Sequence, residues 1–203
     1  MTNNMKKWMI TAMIMAVMFV GIIGTSSAAT PPPYWGNKIG SFTYNGVEVG
    51  AYSNGANKLY SGPYGTYGYQ FQCVEYVNRF YVQALGHKNM RGGGNAKNYY
   101  STASSKELVA YRNGVSKTPP QMGDIICSNS GTYGHVAIVR QVLSDRIYVI
   151  HQNWEYLPGP ASNNYYNQEC NYKPLTLKRN SNGSYTVGPF SSSYSVYGWL
   201  HKP

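Results

Sequence analysis

Carboxylates are scarce in this chain. Seven Asp and Glu stand against 17 Lys and Arg among 203 residues, giving a net charge of +10. Such a surplus suits an anionic partner, whether a cell wall, an outer leaflet or nucleic acid. No basic run stands out, however, and nucleic acid is not expected. Cysteine is also sparse: Cys73, Cys127 and Cys170 allow at most one internal bridge and leave one thiol over. No Cys/His spacing resembles a zinc ligand set, so no zinc site is expected. Internal repeats are lacking, and Thr30–Pro33 is a stiff extended entry too short for a low-complexity linker. Only 12% of residues are charged, whereas Tyr (21) and Gly (22) abound. That composition gives a polar, weakly charged surface of the kind common in exported proteins.

One long apolar run exists, and it lies at the start. Lys6 and Lys7 precede an uncharged stretch from Trp8 to Gly24, followed by the small residues Thr25–Ala29. A basic start, an apolar core and an A-x-A-like exit predict a secretory signal peptide over residues 1–29. The cut falls after Ala29 or one residue earlier. An uncleaved membrane anchor is the alternative, since the run is at the lower limit for spanning a bilayer. No cysteine lies near the cut, which argues against a lipidated amino terminus. Removing residues 1–29 leaves 174 residues at net charge +8, because Lys6 and Lys7 leave. This suffices for one domain, residues 30–203, with an irregular or β lead-in over 30–60 and a core over 61–203. The chain is read as a secreted or periplasmic monomer that meets the membrane only through residues 1–29 if they stay uncleaved. In that oxidising setting Cys127 and Cys170 either pair or remain two separate buried thiols.

Along the chain, Asn45-Gly46 between two short apolar pieces predicts a tight hairpin. Apolar spacing at Val74, Val77, Tyr81, Ala84 and Leu85 predicts a helix from about Gln72 to Leu85, stopped by Gly86. Further helices are expected over Asn95–Tyr100 and Ser105–Arg112. From Ile125 onward the pattern turns to β: Ile125–Cys127, Val136–Val142 and Ile147–Gln152, then the pair Leu175–Lys178 and Ser184–Val187. Helices followed by an antiparallel sheet define an α+β fold.

Chemistry concentrates at Cys73 and His135. Cys73 follows the Gly/Tyr-rich loop Ser61–Tyr69 and opens the helix, where free backbone N–H groups and the positive helix end favour thiolate. His135 lies between a glycine loop and a buried strand, suited to serve as the base of a thiol nucleophile. His87 and His201 read as surface residues. A three-residue hairpin loop, Ser144–Arg146, would put His135, His151 and Asn153 on one sheet face; an even loop would break this unless a bulge intervened. Either His151 or Asn153 then accepts from the His135 ring N–H and fixes its tautomer.

The segments QCVEYVNRF (72–80), P-x-x-G-D (120–124), GHVAIV (134–139) and I-H-Q-N (150–153), with Gly198-Trp199, resemble the CHAP domain, the cysteine/histidine-dependent amidohydrolase/peptidase family, over residues 36–203. Within it they look closest to glutathionylspermidine amidase domains. The resemblance implies a papain-like fold, with N-terminal helices and the nucleophile helix packed on an antiparallel sheet. It also implies Cys73 as nucleophile and His135 as general base. Family members usually carry glutamate where this chain has His151. A carboxylate stabilises an imidazolium, whereas a neutral imidazole only orients it, so the change implies weaker activity or a share for Asn153. The oxyanion is assigned to the Cys73 backbone N–H, with Gln72 or a tyrosine of the preceding loop. Some CHAP domains hold calcium in an acidic loop before the cysteine. Ser61–Gln70 has no Asp or Glu, so neither calcium nor any other cofactor is expected.

Export, basic charge and this resemblance together point to a secreted enzyme that cuts an amide bond of peptidoglycan, as a muramoyl-alanine amidase or a crosslink endopeptidase. Two alternatives stand. One is a non-catalytic wall-binding or structural protein with the same fold; the other is a glutathionylspermidine-type amidase.

Overall fold

The computed structural model describes residues 35–55, 62–154 and 174–203. All lie in one unit, Pro31–Pro203. The expected signal peptide and Cys170, hence its pairing with Cys127, lie outside the described residues. Cys127 is a buried free thiol, pushed above the usual thiol range by burial.

Two strands, β1 (Lys38–Tyr44) and β2 (Val47–Tyr52), form the expected hairpin. Asn45 and Gly46 both adopt positive φ (49° and 79°) at its turn, the backbone a two-residue turn requires. Two short strands, β3 (Tyr64–Gly65) and β4 (Gly68–Tyr69), shape the loop before α1 (Cys73–Leu85). The apolar face of α1 buries Tyr76, Val77, Phe80, Tyr81 and Ala84. Gly86 ends it in the left-handed conformation and donates its N–H to the Tyr81 carbonyl.

Seven strands make the main sheet: β5 (Val109–Arg112), β6 (Ile125–Ser128), β7 (His135–Val142), β8 (Arg146–Ile150), β9 (Leu175–Arg179), β10 (Tyr185–Val187) and β11 (Gly198–His201). Their order is β10-β9-β8-β7-β6-β11-β5, antiparallel throughout. Alternation along β6 and β7 splits the core into two layers. Ile125, Cys127, Val136 and Ile138 meet α1 and the β1–β2 hairpin. Ile126, Ala137 and Val139 join Trp199, Phe190 and Leu175 on the other face. Among the described residues, one α-helix and a large antiparallel sheet give an α+β fold with β predominating.

The two further helices expected are not there. Asn95–Tyr100 contributes only a 3-10 turn, Ala96–Asn98, and Ser105–Arg112 gives a 3-10 turn, Ser104–Lys106, followed by β5. Glu107 takes a left-handed φ of 58° and breaks the helical path. Beyond it, Val109–Arg112 pairs with β11 along its length. Edge pairing outweighs the local helical preference of this short segment. Gly198 is packed where a side chain cannot go: a Cβ there would lie 2.3 Å from the Tyr111 carbonyl and 2.4 Å from the Tyr100 ring.

Candidate active site

Register decides what His135 faces. The β7–β8 turn spans two residues, with Leu143 N–H bonded to the Arg146 carbonyl, not the three expected. An even turn alone would turn His135 and His151 to opposite faces. A bulge between Val139 and Gln141 restores parity, so Ile138 pairs with Ile150 and Val139 with Val149. His135 Nε2 consequently lies 2.8 Å from His151 Nδ1. Both rings are buried, and an aromatic shell surrounds them. His135 lies 4.5 Å from Trp154 and 5.2 Å edge-to-face from Phe190, centroid to centroid. Burial holds the pKa of His151 down to about 3, so it stays neutral at ordinary pH.

The backbone before His135 allows no substitute for glycine. Gly134 has φ +72°, and a Cβ there would meet Lys97 N at 2.4 Å and the Ser128 carbonyl at 2.5 Å. Lys97 N–H donates to the Tyr133 carbonyl at 2.9 Å, pinning this loop to the Ala96–Asn98 turn. Gly134→Ala is expected to destabilise the fold by about 2–4 kcal/mol through backbone displacement. It should also move His135, which denaturant unfolding with parallel turnover assays would show.

Cys73 begins α1 and lines a cleft of about 710 Å³ together with Gln72, His135, Asn153, Tyr133 and Tyr194. Cys73 is buried. Burial pushes the thiol up to about 11, against the opposing pull of the N–H groups of Val136, Val74 and Cys73 itself. The thiolate expected from the helix N-terminus is therefore not the resting form: desolvation outweighs the N–H groups.

Asn153 does not join the imidazole pair. β8 ends at Ile150, and Asn153 turns away with φ 51°. Its amide Nδ2 donates to Gln72 Oε1 at 2.6 Å, and its Oδ1 accepts from Asn54 at 3.4 Å. The Gln72 carboxamide is thereby held at both ends, its oxygen by Asn153 and its Nε2 by donation to Asn54 Oδ1 at 3.5 Å.

Beneath the cleft lies a buried network that sequence reading did not find. Arg79 donates to Glu75 Oε1 (2.7 Å), the Gly50 carbonyl (2.6 Å) and Gln152 Oε1 (3.0 Å). Gln152 Nε2 donates to Glu75 Oε2 (2.9 Å), and Gln152 Oε1 accepts the Tyr52 N–H (2.7 Å). This ties the first turn of α1 to β2 and to the segment after β8, fixing Cys73 relative to His151. The Glu75/Arg79 pair has i,i+4 spacing and was readable as a helix pair. Its closure onto Gln152, 77 residues from Glu75, was not.

Neither remaining histidine is a plain surface residue. His87 is buried and packs edge-to-face on Tyr81 at 5.4 Å. His201 Nδ1 lies 2.7 Å from Asp124 Oδ1, whose carboxyl burial pushes up to about 6. Among the described residues no group of His, Cys, Asp or Glu is arranged to hold a metal ion. No described helix is long and apolar enough to cross a membrane.

Residues 62–153 match the family model described as the CHAP domain, a narrower span than 36–203. A search of curated proteins finds no match. A solved structure titled "The crystal structure of Ly7917" is similar at 14% identity, covering 64% of this chain and 90% of that one. Its TM-score of 0.30 is too low to carry an argument. The matched segment contains Cys73, His135, His151 and Asn153, and over those residues the chain is similar to the CHAP domain family, whose members are generally hydrolases of the amidase or peptidase type.

Proposed function

We infer that this chain is an exported cysteine amidohydrolase or peptidase that cuts an amide bond of peptidoglycan, with a papain-like division of roles. The observation that carries this is the joining of Cys73 and His135 along one cleft, with His135 Nε2 held 2.8 Å from His151 Nδ1. If neutral His151 accepts there, His135 carries its proton on Nε2, and its Nδ1 is the basic atom. In the reaction His135 Nδ1 takes the Cys73 proton as sulfur attacks the amide carbonyl. The oxyanion is stabilised by the Cys73 backbone N–H and by Gln72 Nε2, whose carboxamide is oriented by Asn153. His135 then returns the proton to the departing amine, leaving a thioester. Water attacks that thioester, releasing the acid and restoring the thiol. Asn153 is a positioning residue for Gln72, and His151 is one for His135.

The substrate assignment is supported by the basic charge of the chain and by the signal-like start. Mass spectrometry of purified peptidoglycan after incubation with the chain tests it. New amino and carboxyl ends without new reducing sugar are expected, and they should be absent with Cys73→Ala. No release from walls of several chemotypes would sink the wall substrate. Glutathionylspermidine serves as the control for the related amidase reading.

One observation favours a second reading, a non-catalytic wall-binding protein: the buried thiol is pushed up to about 11. Peptidoglycan pull-down without cleavage, by both the parent and Cys73→Ala, would establish it.

A further inference from the structure

A second hollow of about 220 Å³ lies between the β3–β4 hairpin and the Arg91–Asn95 loop. It shares Tyr69, Val74 and Asn95 with the cleft at Cys73, so the two are contiguous. Its rim is aromatic and exposed. Tyr64 is 53% exposed and Tyr69 49%, and their rings stand edge-to-face at 4.8 Å. The Arg91 guanidinium lies 5.5 Å over the Tyr64 ring, and its NH1 donates to the Gly65 carbonyl at 3.3 Å.

We propose that this hollow is a substrate subsite, in which Arg91 holds a carboxylate of a peptide chain whose neighbouring atoms pack on Tyr64 and Tyr69. The identity of that peptide as part of the amide substrate rests on the hydrolase reading above. Arg91 is the one charged side chain lining the hollow among the described residues, and no acidic residue lines it. A guanidinium laid against an aromatic face keeps its remaining N–H groups in a fixed fork, the geometry that pairs with carboxylate. The floor is built to stay in place. Lys106 is buried, and its ammonium donates to the Gly93 carbonyl (3.2 Å) and to Thr102 Oγ1 (2.5 Å), while lying 4.7 Å from the centre of the Tyr99 ring. A Cβ on Gly93 would meet Lys106 Cε at 2.7 Å, so the loop and its lysine prop fit one another closely. Asn89 and Asn78 hold the other side: Arg91 N–H donates to Asn89 Oδ1 (2.9 Å), Asn89 Nδ2 to the Thr66 carbonyl (2.9 Å) and Asn78 Nδ2 to Asn89 Oδ1 (2.6 Å). A preorganised charge beside exposed rings lowers the ordering cost of binding.

The test measures binding apart from chemistry. A wall-derived peptide with a free carboxylate and its carboxamide counterpart are titrated calorimetrically into the Cys73→Ala chain. The carboxylate form is expected to bind about tenfold more tightly. Adding Arg91→Ala should abolish that preference while Arg91→Lys keeps part of it. Tyr64→Ala should weaken both forms. In the active chain the Arg91→Ala loss should fall on KM rather than kcat. Equal binding of the two peptides, an undiminished preference in Arg91→Ala, or no binding of either peptide would each overturn the subsite. Failure of the hydrolase reading looks different, because the parent chain would then cleave neither peptide while the carboxylate preference persisted.

Discussion

As the pH falls from 6.5 to 4, the melting temperature of the His151→Gln variant should rise relative to that of the parent chain. The imidazole of His151 is fully buried and held to a pKa of about 3, against an ordinary value of 6.5. Between those values the unfolded chain carries a proton on His151 that the folded chain does not. Stability from this residue is therefore present in full above pH 6.5 and is lost as the pH falls toward 3. By pH 4 the loss amounts to about 3 kcal/mol. Glutamine cannot titrate, yet its carboxamide offers His135 Nε2 both a donor and an acceptor, so the variant removes the proton linkage and keeps a hydrogen bond. Asp124 works in the opposite sense. Burial raises its folded pKa from 3.8 to about 6, so its stabilisation is complete below pH 3.8 and fades as the pH rises through 6. The two slopes partly cancel in the parent chain. Asp124→Asn should accordingly steepen the acid loss that His151→Gln removes, and differential scanning calorimetry at several pH values separates the two. A parent and a His151→Gln variant with parallel melting profiles would mean that His151 is solvated and titrates normally.

How much of this was legible beforehand depended on how local the cause was. The α1 boundaries followed from apolar spacing and Gly86, and the β1–β2 turn from Asn45-Gly46, because each is settled within a few residues. β5 was misread as helix because its conformation is decided by pairing with β11, some 90 positions later. Cys73 and His135 stood out by their flanks, and parity reasoning linked His135 to His151. The bulge that makes this link work, near Arg140, left no mark in the sequence. Asn153 was misplaced because its positive φ breaks the alternation on which the parity argument depends. The Glu75–Arg79–Gln152 network had one visible half, and its closing residue is far along the chain.

Loss of His135 should reduce amide turnover at least a thousandfold and loss of Cys73 should abolish it, while both variants stay folded. The expectation rests on what the resting site lacks. With the Cys73 thiol up at about 11, only about one molecule in ten thousand holds a thiolate at neutral pH. A preformed thiolate–imidazolium pair would need a partner able to stabilise the imidazolium, and neutral His151 offers a hydrogen bond without charge. Proton transfer to His135 must then accompany attack on the carbonyl, making the base indispensable. Iodoacetamide labelling across pH separates the two cases. Labelling of Cys73 should be slow at pH 7 and climb steadily beyond pH 9. Fast labelling that is level from pH 5 upward would reveal a preformed ion pair and remove the reason for concerted transfer. A carboxylate in place of the neutral His151 ring differs by one charge, and His151→Glu introduces it. That variant should shift labelling to lower pH and raise turnover, at some loss of stability from burying a carboxylate. If it gains the low-pH labelling without turnover on any amide, activation of the thiol is not what withholds activity, and the wall-binding reading takes precedence.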